Sequence, residues 1–250
     1  MNLTDPLTLL FVITGVVWGS FASVLITRSP KKKSIRGRSH CPSCGVVIEP
    51  RDLIPLLSFL ALRGRCRSCD AKIGWFYPFL ELMSGVLFVC ALSLESHHAL
   101  LALFLGIILW LLFVIAVIDA RTERIPDMFN IPFVILAGVY AYLTGGLDIA
   151  GPLVAVGFFA AQWLVSRGKW VGSGDIILAL GIGLLVGDWP RVLLVLALAY
   201  IIGATVGVGL ILTGYKKRTD HLPFAPFLAL GTIIVLLWGD EILFRLFFGG

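Results

Sequence analysis

The chain has 250 residues, of which 58% are hydrophobic and only 14% charged, and its formal net charge is +5. A water-soluble domain has no interior large enough for that much apolar surface, so the composition excludes a soluble globular protein and indicates a polytopic membrane protein. Uncharged stretches long enough to cross a hydrocarbon core of about 30 Å recur along the chain. We expect them to be helices, because open strands would leave backbone groups unpaired in lipid.

About eight transmembrane helices are predicted from these stretches. In chain order the apolar stretches are 6–27, 76–94, 99–118, 128–146, 149–166, 176–187, 192–215 and 222–239. The second contains Glu81, and the sixth is too short to cross unless its helix begins near Trp170. The sequence therefore predicts three parts, which are a first transmembrane helix (1–27), a loop (28–75) and a seven-helix core (76–250).

The basic residues predict the orientation. Of the 20 Lys and Arg residues, only Arg191 and Arg245 fall outside four segments, which are 28–75, 119–127, 167–175 and 216–221. The positive-inside rule places such segments in the cytoplasm, so we predict an N-terminus on the outer side of the membrane. The basic run 31–38 has no interleaved aromatic residues, which indicates membrane lipid or solvent beside it rather than a nucleic-acid partner.

Four cysteines form two C-x-x-C pairs in the first predicted cytoplasmic loop, CPSC and CRSC. The cytosol keeps thiols reduced, which disfavours disulfides. Four such thiolates suit structural Zn²⁺, although the 21 residues between the pairs slightly exceed the usual range. We therefore predict a zinc site that stabilises the fold, with redox or unligated thiols as alternatives. Its ligands would be Cys41, Cys44, Cys66 and Cys69. The segment 52–62 is too short to cross, and we expect it to lie on the membrane surface.

Two aspartates, Asp119 and Asp175, lie at the predicted cytoplasmic ends of helices. Asp119 ends a helix, where the dipole disfavours an anion, whereas Asp175 lies roughly a turn inside the membrane near the start of one, where free N–H groups favour it. Two carboxylates of unequal proton affinity can share one proton. One then acts as general base on a water, and the other polarises a peptide carbonyl. Gly172 and Gly174 lack a Cβ and would let a substrate backbone approach Asp175.

These residues alone leave three functions open. The paired acids suit an aspartic endopeptidase, and intramembrane acids also serve proton-coupled transporters. Alternatively, each aspartate is an interfacial cap or ion-pair partner in a zinc-bearing scaffold without catalysis. The acids lie at one membrane edge and no inverted repeat is evident, which disfavours transport.

The motifs Asp119-x5-Ile125-Pro126-Asp127 and Gly172-Ser173-Gly174-Asp175 resemble the two catalytic motifs of type IV prepilin peptidases, which are GxGD-type intramembrane aspartic proteases. The resemblance implies that Asp119 and Asp175 are the catalytic pair. It implies prepilin or pseudopilin substrates of type IV pilus and type II secretion systems, cut after a glycine at the cytoplasmic edge of the substrate's hydrophobic helix. It also implies a bacterial inner-membrane location. The similarity extends to further stretches, 19–30, 62–69, 77–85 and 223–231.

The same resemblance implies methylation of the new N-terminal residue with S-adenosylmethionine, for which the sequence shows no separate cofactor motif. Glu81 would hold a substrate amine or the methyl acceptor, or else pair with an arginine on the cytoplasmic side. Asp127 either approaches the substrate or caps the next helix. The family usually has asparagine where this chain has Ser23, and glycine where it has Ala225.

Overall fold

The computed structural model describes residues 5–31, 34, 37–217 and 220–248. Within these residues the regular structure is helical, apart from two isolated β-bridges in the loop after the first helix. The helices are α1 (Pro6–Arg28), α2 (Leu57–Ala61), α3 (Phe76–Leu94), α4 (Ala99–Thr122), α5 (Asp127–Leu143), α6 (Ala150–Ser166), α7 (Ser173–Val186), α8 (Trp189–Leu212) and α9 (Ala225–Phe248). Half of the basic run 31–38, namely residues 32, 33, 35 and 36, lies outside the described residues.

The helices confirm the predicted all-α membrane fold. Five of them are long and apolar enough to cross a membrane (α1, α3, α4, α8 and α9), and three shorter ones (α5, α6 and α7) are also apolar. One predicted helix start was wrong. Helix α7 begins at Ser173 rather than near Trp170, because Gly172 has an extended conformation and is the N-cap. Helix α9 extends beyond the apolar stretch that ends at residue 239, and the charges there are paired, Arg245 with Glu241 on α9 and Asp240 with Arg191 on α8.

The segment 52–62 forms a short 3₁₀ turn (Pro50–Leu53) followed by the five-residue helix α2. Leu57 and Leu60 on α2 are 65% and 70% exposed, and Trp75 at the start of α3 is 77% exposed. The ring of Phe59 packs 5.1 Å from that of Trp75, so α2 lies beside the end of a membrane-spanning helix. Exposed leucines beside an interfacial tryptophan agree with the expected place of this segment at the membrane surface.

The chain divides into two compact units, Met1–Trp110 and Leu111–Gly250. In the first unit, α1 and α3 cross closely because glycines face the contact. A Cβ added to Gly19 would lie 2.5 Å from the Cα of Glu81, and one added to Gly15 would lie 2.6 Å from the carbonyl oxygen of Ser84. Small residues let membrane helices approach this closely. The crossing therefore fixes the backbone position of Glu81.

In the second unit, the short helix α7 packs against α5 and α6 through its glycines. A Cβ on Gly181 would lie 2.5 Å from the ring of Phe133 on α5, and a Cβ on Gly183 would lie 2.6 Å from the Cα of Pro152 on α6. The glycine-rich sequence of α7 therefore serves helix packing along its length. The start of α7 is held in place by these contacts, and Asp175 lies in its first turn.

We expect Gly151→Ala to destabilise the second unit strongly. A Cβ at this position would lie 1.8 Å from the carbonyl oxygen of Gly187, so α6 and the end of α7 would have to separate. Overpacking of this kind costs about 3 kcal/mol. The measurement is the unfolding midpoint of the purified chain in detergent. Gly157→Ala is the matched control on the same helix, because no atom lies within 4 Å of its added Cβ. Equal midpoints for the two variants would contradict this packing.

Candidate active site and cysteine cluster

Asp119 lies in the last turn of α4 and is only 5% exposed. Its Oδ2 accepts the backbone N–H of Ala225 at 3.0 Å, and the backbone of Phe224 also donates to the carboxylate. Ala225 is the first residue of α9, so the carboxylate lies at a helix N-terminus, where free N–H groups favour an anion. The sequence prediction considered only the C-terminus of the aspartate's own helix and missed this donor, which lies 106 positions away.

Asp175 is the third residue of α7 and is half-buried. Its Oδ2 accepts the N–H of Gly172 at 3.0 Å, so the side chain reaches back over the start of its own helix. This arrangement satisfies one of the free donors of the first turn. Helix α7 begins only two residues before Asp175, and not near Trp170, the start from which we predicted its depth in the membrane. Both carboxylates therefore sit at helix N-termini.

The two sequence motifs meet at Gly174 and Ile125. A Cβ on Gly174 would lie 3.0 Å from the Cβ of Ile125 and 3.5 Å from its carbonyl oxygen. The space that we expected Gly174 to leave for a substrate is thus occupied by Ile125. Gly172 differs, since it is exposed and the nearest atom to its added Cβ is Oδ2 of Asp175, at 3.4 Å.

Asn130 on α5 was not singled out from the sequence. It is fully buried, and its Nδ2 donates to the carbonyl of Gly174 at 2.8 Å, while its Oδ1 has no partner among the described residues. This bond ties α5 to the first turn of α7 and so positions Asp175. An amide in the first turn of an apolar stretch was the available sequence clue, because such a group needs a partner inside lipid.

The segment before α9 is tied to the end of α4. Lys216 pairs with Glu123 at 3.3 Å and also donates to the carbonyl of His221. Three aromatic rings pack together at this segment. The ring of Phe224 lies 4.8 Å from that of Tyr200 and 6.0 Å from that of Phe159. These contacts hold the N-terminus of α9 where its N–H groups meet Asp119.

Two other predicted site residues lie in different surroundings. Asp127 is the exposed first residue of α5, whereas the N-cap is Pro126, so the predicted capping role was wrong by one position. Glu81 is in the first unit and is 8% exposed, and its Oε2 accepts the N–H of Leu56 at 2.8 Å. Among the described residues it forms no ion pair, so the alternative of an arginine partner is not supported.

The four loop cysteines converge. Their sulfur atoms lie within 4.8 Å of one another, and Cys41 and Cys69 are 3.8 Å apart. Four sulfurs bound to one Zn²⁺ at about 2.3 Å in tetrahedral geometry lie about 3.8 Å apart. The cluster is thus close to the geometry that a tetrahedral ion requires.

The two C-x-x-C pairs have the same local structure, which we did not foresee. Each is flanked by an isolated β-bridge, and the first cysteine of each donates its N–H to the carbonyl five positions later, at 2.9 Å in both. The residue after each pair, Gly45 or Asp70, has a positive φ. This turn directs both cysteines of a pair to one side, so two such turns facing each other provide four ligands.

Backbone donors and ion pairs shape the electrostatics of this loop. The N–H groups of Cys44 and Ser43 lower the pKa of Cys41 to about 6, which favours a thiolate there. Arg67 donates Nε and Nη2 to Asp52, at 2.9 and 2.6 Å, and these bonds hold the pKa of Asp52 below its usual range. The bidentate pair ties the second cysteine turn to the segment before α2.

Known proteins resemble this chain over most of its length. The model for the bacterial peptidase A24 N-terminal domain matches residues 13–94, and the model for the type IV leader peptidase family matches residues 106–208. A prepilin leader peptidase/N-methyltransferase of Bacillus subtilis is 35% identical, over 95% of this chain and 96% of the relative. Proteins with the same name from Aeromonas hydrophila (36%, over 82% and 73%) and Pseudomonas aeruginosa (30%, over 92% and 90%) are also similar. No solved structure matched.

Proposed function

Because the chain belongs to the type IV leader peptidase family, we propose that it removes the leader peptides of type IV prepilins or pseudopilins and methylates the amine that cleavage exposes. The membrane-spanning helices place this multi-pass protein in the bacterial inner membrane. The main structural support for the peptidase assignment is the contact of the two motifs at Gly174 and Ile125. The transporter alternative receives no support, since the relatives' names describe peptidases.

Asp119 and Asp175 are the proposed catalytic pair. One carboxylate is ionised and takes a proton from a water molecule, which then attacks the scissile carbonyl carbon. The other is protonated and donates to the carbonyl oxygen, where negative charge develops. Two neighbouring carboxylates share one proton because both cannot ionise cheaply at short range. The contact of the two motifs at Gly174 and Ile125 and the place of both carboxylates at helix N-termini support this division of roles.

The exposed glycine beside Asp175 is the proposed point of substrate approach. Gly172 has no side chain between solvent and the carboxylate, so an extended peptide backbone can come close to it. Asp127 is exposed at the start of α5, two residues after Ile125, and remains a candidate for contact with the polar part of the substrate. Gly174 contributes by letting the two motifs touch.

We further propose that Cys41, Cys44, Cys66 and Cys69 hold a structural Zn²⁺. The donor set is soft thiolate only, the four sulfurs lie within 4.8 Å of one another, and no fifth protein ligand is needed. Such a closed site leaves no open position for substrate. The ion would join the two cysteine turns and stabilise the loop.

The methyl donor implied by the relatives' names is S-adenosylmethionine. A cavity of about 360 Å³ in the first unit falls within the size range of small-molecule sites. Hydroxyl groups on α1 and the rings of Phe59 and Tyr77 line it, and they suit a ribose and a purine. Arg28 and Lys72 also line it and suit the carboxylate of the donor, and Cys41 of the cysteine cluster borders it. The residues present therefore fit this cofactor, which would supply the methyl group.

The direct test of both activities is mass spectrometry of a pilin incubated with the purified chain. The position of the new N-terminus reports the peptidase, and an added methyl mass on that residue reports the transferase. A pilin that keeps its leader under conditions where the enzyme is folded would overturn the assignment.

A backbone variant tests the role of the α9 N-terminus. We expect Ala225→Pro to slow leader cleavage about 10- to 100-fold, because proline removes the N–H that donates to Asp119. Proline is tolerated at the first position of a helix, so α9 should still form. Ala225→Gly keeps the N–H and is the control, with cleavage close to that of the unmodified chain. Initial rates at saturating pilin give the comparison, and equal rates for both variants would refute this role.

A further inference from the structure

Glu81 faces a cavity that the peptidase mechanism does not use. The cavity lies in the first unit, between the C-terminal half of α1, the start of α3 and the cysteine loop. The carboxylate is 8% exposed, and Oε2 accepts the N–H of Leu56 at 2.8 Å, with the Ser20 hydroxyl also contributing. No cationic side chain among the described residues pairs with it. Burial of a carboxylate without a cation is costly.

A purely structural role of Glu81 would not require its negative charge. Leu56 has a φ of 60°, so the bond from its N–H helps to hold a strained turn before α2. The amide oxygen of a glutamine would accept the same bond. Three carboxylates line the cavity, and two of them already have cations, since Asp52 pairs with Arg67 and Glu49 pairs with Arg51. Among these three, Glu81 is the carboxylate for which the described residues supply no cation, and it can meet one from outside.

The size and lining of the cavity indicate an organic cation. A space of about 360 Å³ is far larger than a metal ion needs. Away from the cysteine cluster its lining combines Glu81 with hydroxyl groups, aromatic rings and the cations Arg28 and Lys72, which is a poor donor set for a metal but suits an organic molecule that carries both charges. The close crossing of α1 and α3 at Gly19 fixes the backbone of Glu81, so the carboxylate is presented rigidly. A fixed anion facing a nucleoside-sized space suits a nucleoside that carries a positive charge.

We propose that this cavity binds the methyl donor with the carboxylate of Glu81 opposite its sulfonium group. The proposal rests on the proposed methyltransferase function and goes beyond it by naming the cavity and the charged residue. In the transfer, the amine nitrogen forms the new bond to the methyl carbon, sulfur keeps the electrons of the broken bond, and the resulting ammonium releases a proton to water. The product is a neutral thioether, so Glu81 holds it less tightly than the donor, which favours exchange of product for donor.

Equilibrium binding to the purified full chain in detergent tests this proposal without relying on turnover. The unmodified chain should bind S-adenosylmethionine about 10- to 100-fold more tightly than S-adenosylhomocysteine, which lacks the positive charge. Glu81→Gln keeps the acceptor for Leu56 but removes the charge, so its affinities for the two ligands should differ less than about threefold. Glu95→Gln removes one negative charge at the opposite end of α3, outside the cavity lining, and should keep the preference.

Three results would overturn the proposal, namely no binding of either ligand, equal binding by the unmodified chain, or an undiminished preference in Glu81→Gln. If Glu81→Gln does not fold, photolabelling of the unmodified chain with an azido-adenosyl analogue decides. Label within 20–28 or 39–81 supports the cavity, and label confined to 111–250 refutes it. A different result would refute the methyltransferase function itself. In that case the pilin processed by the unmodified enzyme would carry no added methyl mass.

Discussion

Asp119→Asn and Asp175→Asn should each reduce leader cleavage by at least about 10³-fold. Asparagine has nearly the same shape as aspartate, and its side-chain oxygen can still accept the N–H of Ala225 or of Gly172. The substitution therefore removes the shared proton while leaving the helix contacts in place. Since each carboxylate has its own role in the mechanism, neither variant should retain partial function. The measurement is the rate of leader release from a purified prepilin by enzyme in detergent.

Asp148→Asn is the matched control for these two variants. Asp148 lies exposed in the loop between α5 and α6, where its side chain accepts the N–H of Ala150. The change removes one negative charge from the same unit, far in sequence from both motifs, and cleavage should continue at close to the original rate. Full cleavage by either catalytic-pair variant would reject the two-aspartate mechanism. If leader cleavage were lost in all three variants, the cause would instead be a general effect of charge on folding.

Replacement of one ligand cysteine should remove the metal from the loop. The unmodified chain should carry about one Zn²⁺, with sulfur as its only nearest neighbour in X-ray absorption. In Cys66→Ser the metal content should fall close to zero, because structural zinc binding in small domains is worth about 10–16 kcal/mol and depends on every thiolate. The two cysteine turns would then separate, and a protease should cut between residues 39 and 73. Leader cleavage should fall far less than in the aspartate variants.

Cys90→Ser is the control, because it removes a thiol that is not a predicted metal ligand. Cys90 lies on α3, outside the loop, and is half-buried without a place in the cluster. Its variant should keep the metal and the resistance of the loop to protease. Mainly oxygen or nitrogen neighbours around the metal would contradict the four-cysteine site. Equal metal loss in Cys66→Ser and Cys90→Ser would do so as well.

Local patterns in the sequence were sufficient for the fold class and for the residue types at the two sites. Runs of apolar residues predicted the membrane helices, because the length and hydropathy of one segment decide whether it can cross a bilayer. The C-x-x-C spacing predicted the cysteine cluster for a similar reason, since each turn supplies two ligands by itself. The ends of helices were less predictable. Helix α7 begins at Ser173 because of the extended backbone at Gly172, which hydropathy does not report.

The geometry around the aspartates was decided by contacts between distant segments. The donor to Asp119 comes from Ala225, 106 positions away, and Asn130 reaches Gly174 across 44 positions. Pattern and spacing describe one segment at a time, whereas hydrogen bonds between helices depend on which faces meet after folding. The place of Glu81 beside a cavity likewise follows from the crossing of α1 and α3. The sequence by itself therefore determined which chemical groups are present, and the tertiary structure decided which of them can act together.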